Sequence, residues 1–431
     1  MHSRVRERNA QEISGRETAA LKIHGDNLAA SASLNPIENQ LDSPRAWLMA
    51  ATAFVICMVA FGIAYSFGAF FKPMALDFGA SRASTSAVFA ITGCLYNLLG
   101  VLSGYLADRY GPRPILLIGA AAMGAGLVAT SYIHQLWIGY LTYGIGVGIG
   151  VAFTYIPMLA VVGGWFHRHR TAALGIAVSG IGAGTLIVAP AAAALIARVG
   201  WRESYVVMGL VATVMIVICA FIAVPPPVHE AQGKFYVTSA LRTSKFFLLY
   251  ISSMLSSIAI YVPFVYLPEY AHNHGASEVS AAALVGFIGA ASIVGRLGLG
   301  TFAARFGIIP LYKACTLIMG LSFGLWAVSN SYGSLVVFAL VMGSSYGGMI
   351  ALSPAVVAEL FGVQGLGATL GALYTGSAIS SLTGPPMTGF VIDYTGSYLW
   401  AAVFAGSTAV AAYLILIPMR AQHRLIQSPA T

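Results

Sequence analysis

Charge is what this sequence has least of. Only 8% of its 431 residues are Asp, Glu, Lys or Arg, against about 25% in an ordinary soluble domain. That scarcity leaves too little polar surface to face water on all sides. Cysteine is also sparse: Cys57, Cys94, Cys219 and Cys315 all fall in apolar stretches, without metal-ligand spacing. This excludes a disulfide framework or a cysteine metal centre and leaves four buried free thiols. No Asp or Glu falls in the middle of an apolar stretch, no histidine lies within one, and no nucleophile, base or metal cluster sits there either. Neither an intramembrane enzyme nor a sensor with an output domain is therefore expected, and no cofactor is implied.

What the chain has is apolar length. It is 58% hydrophobic, with a mean hydropathy of +0.81. A run of about 20 apolar residues spans the hydrocarbon core of a bilayer, and its backbone must be helical because lipid supplies no hydrogen bonds. Spans are expected at roughly 47–71, 84–107, 114–131, 136–162, 171–198, 203–224, 244–267, 279–303, 309–329, 333–358, 365–392 and 397–419. The fold class is therefore an all-α integral membrane protein with twelve transmembrane helices.

The first 45 residues carry six basic and six acidic side chains and no cleavable apolar segment, so they read as a mobile tail. With the N-terminus in the cytoplasm, seventeen of the basic residues fall on the cytoplasmic side, four on the other, and Arg296 inside a span. Basic loops resist translocation, so both termini are expected to be cytoplasmic. The same bias accounts for the net charge of +8 without nucleic acid as a partner.

The chain repeats itself at a shift of 196 residues, which relates Tyr65 to Tyr261, Gly79-Ala80-Ser81 to Gly275-Ala276-Ser277, Gly93 to Gly289, Gly111 to Gly307, Pro190 to Pro386 and Gly200 to Gly396. Six spans fit in one period, so the halves share a topology and are related by an axis along the membrane normal. The expected division is a tail at 1–45, a first six-helix bundle at 46–224, a cytoplasmic linker at 225–243, a second bundle at 244–419 and a tail at 420–431. A binding site is expected between the bundles, which rock against each other about the linker with its Pro225-Pro226-Pro227 run.

Gly104-Tyr105-Leu106-Ala107-Asp108-Arg109-Tyr110-Gly111-Pro112-Arg113, between the second and third spans, resembles the signature loop of the major facilitator superfamily. Its glycines let two helix ends approach, while Asp108, Arg109 and Arg113 can make and break an ion-pair latch, a gating role. The second copy, Gly300 to Gly307, lacks the acid. Within that superfamily, Phe166-His167-Arg168-His169-Arg170 followed by Gly175, Ala177, Gly180 and Gly184 resembles the fifth-helix signature of the monocarboxylate transporter family. Gly200-Trp201-Arg202 and Gly384-Pro385-Pro386 with Asp393 match it too. The bacterial oxalate and formate exchangers are close relatives in the same group. In two departures, the family's aromatic and acidic motif around the first helix is not found, and His169 stands where the family has an arginine.

Arg296 is the one formally charged residue expected well inside a span. Burying it costs about 3 kcal/mol on insertion scales. Its helix runs inward, and helical side chains lean toward the N-terminus, so it leans toward the membrane centre. With no acid in any span to pair with it, the substrate itself can be the counter-ion, since a planar guanidinium matches a carboxylate bidentately. The resemblance implies the same, because the family's substrate-binding arginine falls at Arg296. It also places Ser292 and Ser377 where the family has acids, Tyr65 near a family lysine, and Tyr346 at a site-lining aromatic. Tyr65, Thr154, Tyr155, Ser292 and Tyr346 are the expected orienting side chains.

The expected function is secondary transport of a small monocarboxylate, similar to lactate or pyruvate, by alternating access. Proton symport is the expected coupling, and the expected setting is a monomer in the lipid bilayer of a plasma or bacterial inner membrane. Exchange of the oxalate and formate type is one alternative. Proton-coupled export of drugs or metabolites is another, although Pro190 lies between two alanines and not in the Gly-Pro pair usual in such exporters.

Overall fold

The computed structural model describes residues 41–227, 239–329, 331–361 and 366–419. Of the expected tails and linker, residues 1–40, 228–238 and 420–431 lie outside this set. Among the described residues the long elements are all helices: α1 Pro44–Phe78, α2 Arg82–Tyr110, α3 Pro112–Ser131, α4 Leu136–Trp165, α5 Arg170–Val199, α6 Trp201–Ile222, α7 Ser244–Asn273, α8 Glu278–Phe306, α9 Ile308–Ala327, α10 Tyr332–Phe361, α11 Leu366–Thr395 and α12 Tyr398–Leu416. Eleven of them are long and apolar enough to cross a membrane. The remaining one, α11, is rich in Gly, Ser and Thr.

The repeat is exact at the level of helix ends. Shifting α2, α3, α4 and α5 by 196 residues reproduces the bounds of α8, α9, α10 and α11 residue for residue. The punctuation repeats as well. Among the described residues six glycines have positive φ, and they form three repeat pairs: Gly79 and Gly275, Gly111 and Gly307, Gly200 and Gly396. Two residues after the first pair, Ser81 and Ser277 cap α2 and α8 identically, each hydroxyl accepting the backbone N–H three residues on at 3.2 Å. The Gly-Ala-Ser run is thus a helix stop followed by a helix start.

Helices α2, α5, α7, α8, α10 and α11 have 29 or 30 residues, about 45 Å of helix at 1.5 Å per residue, half as long again as the hydrocarbon core. Hydropathy marks where a helix leaves the lipid, but the helix continues until a glycine, a cap or a turn stops it. For α7 the difference matters: its expected end near 267 moves to Asn273, which brings Glu269 and His272 into the helix.

The halves meet reciprocally. Helix α2 of the first half packs along α11 of the second, and α5 of the first along α8 of the second, as an axis between repeats requires. Small residues make these seams close: a side chain on Gly182 would strike Gly289 and Ile293, and one on Gly93 would strike Ser381. Ser43 and Met419 lie at one end of the molecule, the terminal end. The α1–α2 and α7–α8 turns lie at the other, the far end.

Gly111 has φ 85° and ψ 162°, a region open in practice to glycine alone, and no atom would crowd a Cβ there. Gly111→Ala is therefore expected to destabilise the protein by about 1–3 kcal/mol through backbone strain alone. Thermal unfolding in detergent measures it, and a wild-type melting temperature contradicts the assignment.

Candidate functional site

Where α1, α2, α7, α8 and α10 converge between the halves, the core is aromatic and hydroxylated. Tyr65 of α1 stacks on Phe264 of α7 with ring centres 4.1 Å apart, and Phe264 meets Tyr346 of α10 edge-on at 6.1 Å. The Tyr65 hydroxyl sits among those of Tyr96, Tyr261 and Tyr346. Tyr96 of α2 and Tyr261 of α7 share a hydrogen bond of 2.8 Å, and the Asn97 amide donates to Tyr261 at 3.2 Å. Phe61 meets Tyr155 at 5.0 Å and Tyr96 at 5.6 Å, both edge-on.

Arg296 of α8 enters this cluster from one side and is 7% exposed. Its Nη1 donates to the Val178 carbonyl of α5 at 2.8 Å, across the seam between halves. Its Nη2 reaches the Tyr346 hydroxyl at 3.5 Å, with the guanidinium 5.6 Å over that ring. Its Nε is buried with no partner. Among the described residues no carboxylate forms an ion pair with Arg296. The arrangement is a cation with unfilled donor capacity, walled by aromatic faces and hydroxyls that both donate and accept.

Of the residues singled out in the sequence, Arg296, Tyr65, Tyr155 and Tyr346 come together here. Ser292 is one turn from Arg296, but its hydroxyl bonds the Gly289 carbonyl at 2.8 Å. Thr154 is not brought to the cluster. Its hydroxyl bonds Gly150 of its own helix at 2.8 Å, and its methyl faces Gly119 of α3, inside the first half. Ser377 pairs with Ser257 of α7 at 3.0 Å. Where α2 ends and α3 begins, Arg109 in the last turn of α2 lies over Tyr110 at 5.3 Å. Arg113 lies over Phe221 at 4.4 Å and reaches its carbonyl at 3.4 Å.

Tyr96, Asn97, Tyr261, Phe61 and Phe264 were not anticipated in the site. One signal was available: Tyr65 and Tyr261 are repeat mates, and polar mates near the repeat axis converge on it.

At the far end the halves are tied by charge. Arg82, the first residue of α2, bonds Glu269 of α7 at 3.1 Å and Asp393 of α11 at 3.2 Å. The Asp393 carboxylate also accepts the backbone N–H groups of Arg82 and Ala83, at 3.0 and 3.4 Å. Below this tie, Gly68 of α1 abuts the Phe264 backbone so closely that no Cβ would fit.

At the terminal end, an acid just before α1 and an aromatic in its first turn reach across to the start of α5. Asp42 accepts the backbone N–H groups of His167, Arg168 and His169 at 3.3, 2.9 and 3.0 Å. Trp47 meets Phe166 edge-on at 4.9 Å. Together they fasten the entry of α1 to the entry of α5. Burial opposes the Asp42 charge, but the three backbone donors and the His169 side chain outweigh it and hold the carboxyl below its ordinary value of 3.8.

Two six-helix bundles joined along reciprocal seams, with a polar site between them, define a multi-pass membrane carrier of a small molecule rather than an enzyme. Residues 52–317 match the family model of the Major Facilitator Superfamily. The chain is 30% identical over 389 residues to "Monocarboxylate transporter 3" of Rattus norvegicus, covering 86% of this chain and 79% of that one. It is 28% identical over 393 residues to "Monocarboxylate transporter 11" of Homo sapiens, covering 87% and 83%. The chain belongs to the major facilitator superfamily and, within it, to the monocarboxylate transporter family. Among solved structures, a D-xylose-proton symporter aligns with a TM-score of 0.68 at 16% identity, covering 86% of this chain and 98% of that one. The nucleoside transporter NupG aligns at 0.71 with 13% identity, covering 85% and 98%. At these identities they share the fold.

A carboxyl held below its unfolded value stabilises the fold above that value, and the contribution is lost as pH falls through the folded value. Asp42→Asn is expected to cost about 1 kcal/mol at neutral pH, the usual net worth of an intramolecular hydrogen bond. The difference from wild type should close as pH drops below about 3.8. Thermal unfolding at neutral and acid pH measures this, and a gap that persists in acid refutes it.

Proposed function

We propose that this protein is a secondary active transporter of a small monocarboxylate, similar to lactate or pyruvate, working by alternating access with proton symport. The observation that carries the reading is the buried Arg296 guanidinium: no carboxylate pairs with it among the described residues, and its Nε has no partner. A carboxylate of the substrate supplies the missing counter-charge, and Tyr65, Tyr155 and Tyr346, with Tyr96 and Tyr261, orient the remainder. The printed names of the relatives, monocarboxylate transporters, support the same substrate class.

The protein acts as a monomer in a plasma membrane, the inner membrane if the source is bacterial, with both termini in the cytoplasm and the far end outside. Its working units are the bundles at 46–224 and 244–419, with 225–243 as the linker. In this conformation the outer end is closed by Arg82. Binding and movement are coupled through one bond: a substrate carboxylate competes for the Arg296 Nη1 donor now held by Val178 on the opposite half. That competition loosens the α5–α8 seam. The loop at Asp108, Arg109 and Arg113 latches the cytoplasmic end in the alternate state.

An anion entering alone is opposed by about 2.3 kcal/mol per 100 mV of inside-negative potential. Entry therefore needs a co-transported proton or an outgoing anion, and exchange of the oxalate and formate type is the second reading. In liposomes, uptake driven by a pH gradient with empty lumens is the expected result. Uptake that appears only after preloading with a carboxylate replaces symport with exchange.

Arg296→Lys keeps the charge and loses the planar fork. Carboxylate binding is expected to weaken by about 2 kcal/mol or more, roughly thirtyfold in Kd, in a protein that still inserts. Titration of the purified variant with lactate or pyruvate tests this, and wild-type affinity rejects Arg296 as the anchor.

A further inference from the structure

Glu269 lies five residues beyond Phe264 on α7, about 7.5 Å further outward than the central cluster. It is 8% exposed, and its two oxygens are treated unequally. Oε1 takes the Arg82 contact at 3.1 Å, while Oε2 is buried with no partner. One turn on, the Nδ1 of His272 is also buried without a partner. A spacing of three puts the two side chains on one face of the helix, and both line a cavity of about 110 Å³ between α1 and α5 of the first half and α7 and α8 of the second. That volume holds several waters. Two orphaned polar atoms beside a crevice between the two halves call for a ligand that either atom can take.

The surroundings narrow the choice. Arg82 from α2 and the Tyr398 hydroxyl from α12 face Glu269, and Tyr266 is its neighbour on α7. Lys72 of α1 and Glu278 of α8 line the same cavity, and Asp393 of α11 sits across Arg82. Lys72 and Arg82 disfavour a metal cation. Among the described residues no group of three His, Cys, Asp or Glu side chains could hold one.

We infer that Glu269 and His272 form an external proton-binding site, separate from the central site, whose occupancy sets whether the outer gate stays closed. A proton on Oε2 neutralises the carboxylate that Arg82 grips and leaves Asp393 alone to hold it. A proton on the His272 ring places a second cation beside that carboxylate in competition with Arg82. Either way the tie between the halves weakens, so the open state binds the proton more readily than the closed state. By linkage, acid outside favours opening. In the closed state the site faces the far end and not the central cluster, so its proton controls the gate and is not cargo. The inference takes the outward orientation of the far end from the proposed function and requires neither the substrate nor the coupling assigned there.

The test needs no substrate. Tyr132 and Val328 are highly exposed at the far ends of α3 and α9, in opposite bundles. The full chain with Tyr132→Cys and Val328→Cys carries nitroxide labels in lipid nanodiscs, where both faces see one pH. Lowering pH from about 8 to about 4, a range that spans the free-solution values of glutamate and histidine side chains, should raise the long-distance population several-fold. With Glu269→Gln added, the long distance should prevail at both pH values. Removing the imidazole with His272→Phe should leave a smaller shift. A wild-type distance that ignores pH overturns the site without recourse to any variant. So does a Glu269→Gln protein that keeps the wild-type response or stays short throughout. Because lactate and pyruvate are absent, failure here leaves the proposed function standing, and failure of that reading leaves this result intact.

Discussion

A guanidinium buried between two bodies, and joined to the opposite body through a backbone carbonyl, sets the terms for what surrounds it. Arg296 cannot lose its proton in a protein, and low dielectric makes its charge costly. The Val178 carbonyl and the Tyr346 hydroxyl supply dipoles, which reduce that cost without cancelling the charge. A site of this kind is stable enough to fold and incomplete enough to bind. An aspartate in place of Ser292, one turn away, would neutralise the cation and bring a titratable group into the cluster. The hydroxyl found there instead is turned to its own helix. The electrostatic demand at the centre therefore stays open for whatever enters.

The far end follows opposite logic. Arg82 meets two carboxylates and a tyrosine hydroxyl, so its charge is locally satisfied. Here the cation belongs to the first half and the acids to the second; at the centre the cation belongs to the second half and its acceptor carbonyl to the first. One conformation thus holds a saturated cation at its closed mouth and an unsaturated one at its core. The Arg82 and Asp393 side chains stay 34% and 27% exposed, and ion pairs in contact with water form and break at small cost, a property suited to the gate proposed at this end.

Much of this was legible in the sequence because lipid restricts the backbone so severely. Apolar length marks the helices, and an offset of 196 residues reveals the repeat, since Gly79, Gly111 and Gly200 each recur one period on with the same positive φ sign. Arg296 was legible because a charge in an apolar stretch has few explanations. Helix ends were less so: hydropathy follows the lipid boundary, so α7 was cut short at the residues just before Glu269 and His272. Side-chain direction was not legible either. Thr154 and Tyr155 are neighbours in sequence, yet one faces Gly119 inside its own half and the other packs on Phe61 at the centre. Asp42 escaped notice because its partners are backbone N–H groups more than a hundred residues away, and no composition signals those.

The repeat has a consequence for how a molecule is read. Tyr65 and Tyr261 are mates across the axis, so the two halves offer similar hydroxylated rings from opposite sides, and a ligand touching these alone could lie either way round. The mate of Arg296 is Gly100, which carries no side chain and packs against Ile156. That mismatch, with those of Tyr346 and Gly150, Tyr155 and Ala351, and Tyr96 and Ser292, gives the chamber a head and a tail, so that it works as a keyed socket in which every passenger lies the same way round.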